Sequence, residues 1–116
     1  MKLIINLTLI IAVGVLLQSC GNNKIDQSES IEQGKVLLNA SDCNTCHHQN
    51  NRIVGPSHTD VAKKYETTKA NVKLLADRII KGSSGVWGDI PMNSHTDLSQ
   101  EDAEKMIRFI LSLDEQ

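Results

Sequence analysis

Aromatic side chains are almost missing: one Trp, one Tyr and one Phe make up 3% of the 116 residues. Such rings supply much of the buried surface of small domains, so the body that fills this interior has to come from elsewhere. Cysteine is scarce too. Cys20, Cys43 and Cys46 are too few for the disulfide framework that staples small secreted folds. Neither charge dominates, with 12 Lys and Arg against 14 Asp and Glu and a formal net charge of −2. That balance argues against a nucleic-acid partner, which calls for a concentrated basic surface. No alternating or β-rich run occurs, so no strand is expected, and the length allows one small domain.

The one long apolar run, Leu3 to Leu17, follows Lys2 and is broken only by Asn6, Thr8 and Gly14. It falls short of the roughly 20 residues of a membrane span. A basic start, a short apolar stretch and a small-residue end describe an export signal. Leu17-Gln18-Ser19-Cys20 resembles the bacterial lipobox, whose cysteine is acylated and becomes the first mature residue; Gln18 departs from the small residue usual there. A plain signal peptide or an uncleaved anchoring helix are the alternatives. The chain thus divides into a lipoprotein signal peptide (1–19), a lipidated tether (20–30) and a domain (31–116), with Cys20 as the membrane anchor. Gly21 to Ser30 is polar, and as a flexible coil it would reach about 17 Å.

Cys43-Asn44-Thr45-Cys46-His47 matches the C-x-x-C-H pattern of c-type haem attachment. Positions three apart share one side of a helical turn, so both thiols can meet the two vinyl groups on one haem edge. The adjacent His47 then brings its imidazole under the iron. Covalent thioethers let a small domain keep its cofactor, and the macrocycle supplies the apolar body that the sequence lacks. Zinc would need four ligands, the remainder drawn from His48, His58 or His95. A thioredoxin-like C-x-x-C wants a βαβ pattern that is not seen, and a Cys43–Cys46 disulfide is the plain alternative.

An electron-transfer haem usually takes a second axial ligand, often Met. Met1 leaves with the signal, and Met106 lies on the apolar stripe of a helix and reads as core. Met92 stands in the loop Gly85-Val86-Trp87-Gly88-Asp89-Ile90-Pro91-Met92, where a thioether has no place unless buried; Pro91 stiffens the approach. His95 is the rival ligand and would give a bis-histidine iron of lower potential.

These motifs, in this order, resemble the class I c-type cytochromes, most closely the small bacterial cytochromes c-551/c-552. The resemblance runs from about Ile31 to Leu113 and is carried by Cys43-x-x-Cys46-His47, Val54-Gly55-Pro56, Gly85-Val86-Trp87-Gly88 and Ile90-Pro91-Met92. It implies an all-α domain, about four helices wrapped around one covalently attached haem c. Cys43, Cys46, His47 and Met92 would bind that haem, with His47 and Met92 on the iron. It also implies that the Pro56 carbonyl accepts a hydrogen bond from the His47 ring, and that Trp87 and Arg78 approach a haem propionate. Taken singly, Gly55-Pro56 is an ordinary turn signal, Trp87 a core residue and Arg78 a solvated helix charge. His95 stands where an Asn is common, and the family-type hydrogen bond to the Met sulfur is not implied by the resemblance at that position. His48 and His58 read as surface residues.

Helical periodicity dominates the scaffold. Ser30 with Gln33 reads as a capping box leading into a helix from Ile31 to about Asn39. A short helix is expected from about Thr59 to Lys64. Val72, Leu75, Ala76, Ile79 and Ile80 form one apolar stripe ended by Gly82. Ser99 with Asp102 opens a last helix striped by Ala103, Met106, Ile107, Ile110 and Leu111. A mid-helix Gly34 costs about 1 kcal/mol against Ala; the resemblance explains it as a close crossing of first and last helices near Phe109.

With both axial positions filled by protein, the iron has only its oxidation state to change. The expectation is a membrane-tethered one-electron carrier in the cell envelope, facing the periplasm and not an enzyme. Its partners would be redox proteins such as a respiratory complex, an oxidase or a peroxidase, met in small transient encounters. Lys63, Lys64, Lys69 and Lys73 border that surface or form a solvated face. Gly82-Ser83-Ser84-Gly85 would permit the alternative, a haem-based gas or redox sensor or the haem subunit of a larger enzyme. A haem-free binding lipoprotein is the third reading.

Overall fold

Four helices organise residues 22–115, the part of the chain that the computed structural model describes: α1 Asn22–Ala40, α2 His58–Lys64, α3 Lys69–Lys81 and α4 Gln100–Leu111. Short 3₁₀ turns cover Asp42–Thr45 and Ser112–Glu115. Among the described residues there is no strand, only an isolated bridge between Ser83 and Met92. Ser57, Thr68 and Ser99 start α2, α3 and α4. Each side chain accepts the backbone N–H three residues on, from Asp60, Asn71 and Asp102, which satisfies one of the donors a helix start leaves free. Gly82 ends α3 with φ +82°, a conformation L side chains rarely adopt.

The expected stripes become the core. Val72, Leu75, Ala76 and Ile79 of α3 meet Ala103, Met106, Ile107, Ile110 and Leu111 of α4, joined by Leu38 of α1. Helix α4 packs against each of the other three. Met106 is 1% exposed, as the core reading requires. Gly34 is buried where α1 crosses α4: a Cβ there would strike the Lys105 carbonyl, with Met106 N 3.0 Å away. The close crossing of first and last helices is there, and the part of α4 that approaches is the backbone of Lys105 and Met106, one turn before Phe109.

The first helix does not start at Ser30. It starts at Asn22, so the segment read as a coiled tether is helical from that residue on. Ser30 lies inside the helix, and Gln33 bonds back to Glu29 at 3.0 Å, one turn along the same face, and so makes no cap. No Gly or Pro interrupts residues 22–33, and once packing on α4 has nucleated the helix, each further residue adds at little cost. The stretch read as a signal peptide, and Cys20, lie outside the described residues. No described helix is long and apolar enough to cross a membrane.

Candidate cofactor site

Ser41 caps the 3₁₀ turn: its hydroxyl bonds the Leu38 carbonyl at 2.7 Å, accepts the Cys43 N–H and lies 2.9 Å from Cys43 Sγ. The Cys43 carbonyl then accepts the N–H of Cys46 at 3.1 Å and of His47 at 2.9 Å. This one carbonyl winds the two thiols and the imidazole into a single turn. Both thiols are free; Cys43 is half-buried against the core and Cys46 is exposed.

His47 Nδ1–H donates to the Pro56 carbonyl at 2.7 Å, as the resemblance implied. That bond assigns the ring proton to Nδ1 and leaves the Nε2 lone pair for a metal. Gly55 is held by its N–H to the Cys46 carbonyl at 2.8 Å, and a Cβ on it would come within 2.5 Å of His47 Cε1. The ring needs Gly at that position.

His58 corrects the sequence reading. It is 4% exposed, not on the surface, and its ring stacks on that of His47 with centroids 5.6 Å apart and planes 24° from parallel. Burial, with smaller contributions from His47 and His48, pushes its pKa down to about 4. His58, Val61 and Ala62 share the i, i+3, i+4 face of α2, a periodic signal that would have placed His58 inward. His48 is exposed as expected, its Nδ1 accepting the N–H groups of Asn50 and Asn51.

Met92 is half-buried and packs on the same core as Cys43. Its backbone pairs with Ser83 in both directions, at 3.2 and 2.7 Å, so the stretch that suggested a distal opening is tied to Met92. A Cβ on Gly82 would lie 2.8 Å from the Met92 carbonyl, a second reason for Gly there. His95, the rival ligand, turns Nε2 to within 3.4 Å of Asp42 Oδ1, while its Nδ1 is buried with no hydrogen-bond partner. Its N–H bonds the Ile79 and Ile80 carbonyls and closes the end of α3.

Arg78 and Trp87 join a cluster that the sequence did not reveal. Arg78 donates to the Tyr65 hydroxyl at 2.8 Å, and Lys64 Nζ lies 4.8 Å from the centre of the Trp87 ring system. Arg52 donates to the Trp87 carbonyl across 35 positions of sequence. Lys63, Lys69 and Lys73 are exposed, with Lys73 paired to Asp77 at 2.9 Å.

These donors suit a covalently held porphyrin iron. Two free thiols lie on one turn, an imidazole presents Nε2, and a thioether sits on the same apolar core. Ile53, Val54 and Ile90, 51%, 45% and 66% exposed, add apolar surface on the loops that carry His47's partners and Met92. Among the described residues no three His, Cys, Asp or Glu gather into a metal-holding group, so the zinc alternative finds no ligand set there.

The cytochrome c family model matches residues 31–114. Cytochrome c-552 of Nitrosomonas europaea is 39% identical over 77 residues, covering 66% of this chain and 75% of that protein. Cytochrome c-552 of Hydrogenobacter thermophilus is 40% identical over 77 residues, covering 66% of this chain and 78% of its own. The crystal structure of the wild-type Nitrosomonas europaea cytochrome c552 superposes with a TM-score of 0.65 at 38% identity, covering 69% of this chain and 99% of that one.

Proposed function

The chain belongs to the cytochrome c family, whose members carry one covalently attached haem c, and from that premise we propose that it is a membrane-tethered one-electron carrier of the cell envelope. Bound haem c supplies an Fe(III)/Fe(II) couple. Cys43 and Cys46 would hold it through thioethers, His47 would offer Nε2 to the iron, and Met92 its sulfur. Arg78 and Trp87 would serve the propionates. A lipid on Cys20 would keep the domain at the membrane, where it meets redox partners such as a respiratory complex, an oxidase or a peroxidase.

One observation carries this reading: both candidate ligands are pinned by backbone hydrogen bonds. The Pro56 carbonyl fixes the His47 ring at 2.7 Å, and the Met92 N–H is fixed on the Ser83 carbonyl at 2.7 Å. Two ligands whose attachments to the fold are held in place would favour a change of charge with little rearrangement, and with both on the iron no position would be left for a substrate.

The test is an optical spectrum and a redox titration of the purified holoprotein. A Met-ligated ferric form is expected to show a weak band toward the red, lost in Met92→Ala. Rapid carbon monoxide binding by the native ferrous protein would instead favour a sensor. A colourless protein from a host competent in cytochrome maturation would overturn both.

A further inference from the structure

One hydrogen bond at one ring nitrogen locates an imidazole but does not orient it, since the ring can still tilt about that bond. His47 has its Nδ1 on the Pro56 carbonyl, and something else must set the plane. The second contact is the face of His58, 5.6 Å away between ring centres and 24° from parallel. His58 is itself held. Its N–H bonds the His48 carbonyl at 3.1 Å, and the next residue, Thr59, bonds the Gln49 carbonyl at 3.0 Å. The stretch just after His47 and the first turn of α2 are thus tied by consecutive hydrogen bonds, and the two rings face each other from backbones that cannot slide. His58 is 4% exposed and Ser57, which caps the helix, is fully buried, so the His58 side of the stack is packed while His47 is half-buried.

We infer that His58 is a positioning residue for the proximal ligand: its buried ring, stacked on His47, sets the plane in which the His47 imidazole meets the iron. It acts through His47, the ring on which it stacks. What it contributes is a flat face, and an aromatic ring of another kind can replace it. This rests on His47 being the axial ligand proposed above.

The largest g value of a low-spin ferric haem depends on how the planes of its two axial ligands are set relative to each other, so in the electron paramagnetic resonance spectrum of the ferric holoprotein a turn of the His47 plane would move it. His58→Leu keeps an apolar side chain but removes the flat face; it is expected to move the largest g value by more than its line width. His58→Phe keeps a ring and is expected to hold the parent signal within the line width. Should His58→Leu give no folded holoprotein, His58→Asn, smaller and without a ring, is expected to show the same displacement. A ringless variant with the parent signal, or a Phe variant displaced as far as the ringless one, overturns the inference. Failure of the underlying assignment looks different: a His47→Ala holoprotein that keeps the parent low-spin signal removes His47 as a ligand, whatever His58 does.

Discussion

Gly34 of α1 faces the Lys105 carbonyl of α4 so closely that no Cβ fits between them. Helix propensity alone makes Gly34→Ala a gain of about 1 kcal/mol. The crossing reverses the sign, because the obstacle is backbone and cannot turn aside. Gly34→Ala is expected to lose about 1–3 kcal/mol, seen as a lowered Tm of the holoprotein; a Tm at or above the parent's refutes the close crossing.

Gly55 has the same logic at the ligand. A Cβ at this position would press on His47 Cε1 at 2.5 Å and Nδ1 at 2.8 Å, against the edge that bonds Pro56. Gly55→Ala is expected to displace the ring, shift the reduction potential and raise the rate at which exogenous imidazole binds the ferric protein. An unchanged potential and binding rate would show that the loop yields without cost.

The buried His58 makes stability depend on pH. Its pKa falls from an ordinary 6.5 to about 4 in the folded chain, chiefly through burial. The unfolded chain therefore takes up the proton first, and stability complete above about pH 6.5 is lost as pH falls toward 4. The loss is about 3 kcal/mol over that interval. Denaturant melts of the parent and His58→Phe between pH 7 and pH 4 check it: the Phe variant is expected to show the shallower decline.

Tethering is tested at Cys20. Cys20→Ser removes the thiol that the lipobox resemblance marks for acylation, and the variant is expected in the soluble fraction with its haem spectrum intact. A variant that stays with the membrane would indicate an uncleaved anchor.

Ser99→Ala removes the cap of α4, whose hydroxyl accepts the Asp102 N–H at 3.1 Å. The expected loss is about 1 kcal/mol, read as a shift of the denaturant midpoint. The cap is exposed, so little else should change.

What was legible in the sequence is what depends on neighbours a few positions apart. The stripes of α3 and α4, the Ser99 cap and the turn from Cys43 to His47 are local patterns, and each appears where the spacing placed it. The start of α1 was not legible, because Ser30 and Gln33 spell a cap while the helix through them gains its stability from α4. His58 was misplaced by its polarity, although its helix face pointed inward. Arg78 with Tyr65 and Arg52 with Trp87 lie 13 and 35 positions apart, and only the folded loops bring them together.

Helix α4, on which the other three lean, follows all of them in the chain. Until it arrives, α1 and α3 have most of their apolar faces uncovered, and the pairing of the two ends of the domain is the slowest contact to form. Cys43 and Cys46 therefore spend the growth of the chain on an unclosed scaffold. Cys46 stays exposed and Cys43 half-buried once α4 has packed, so both thiols keep a path to solvent on either side of that closure.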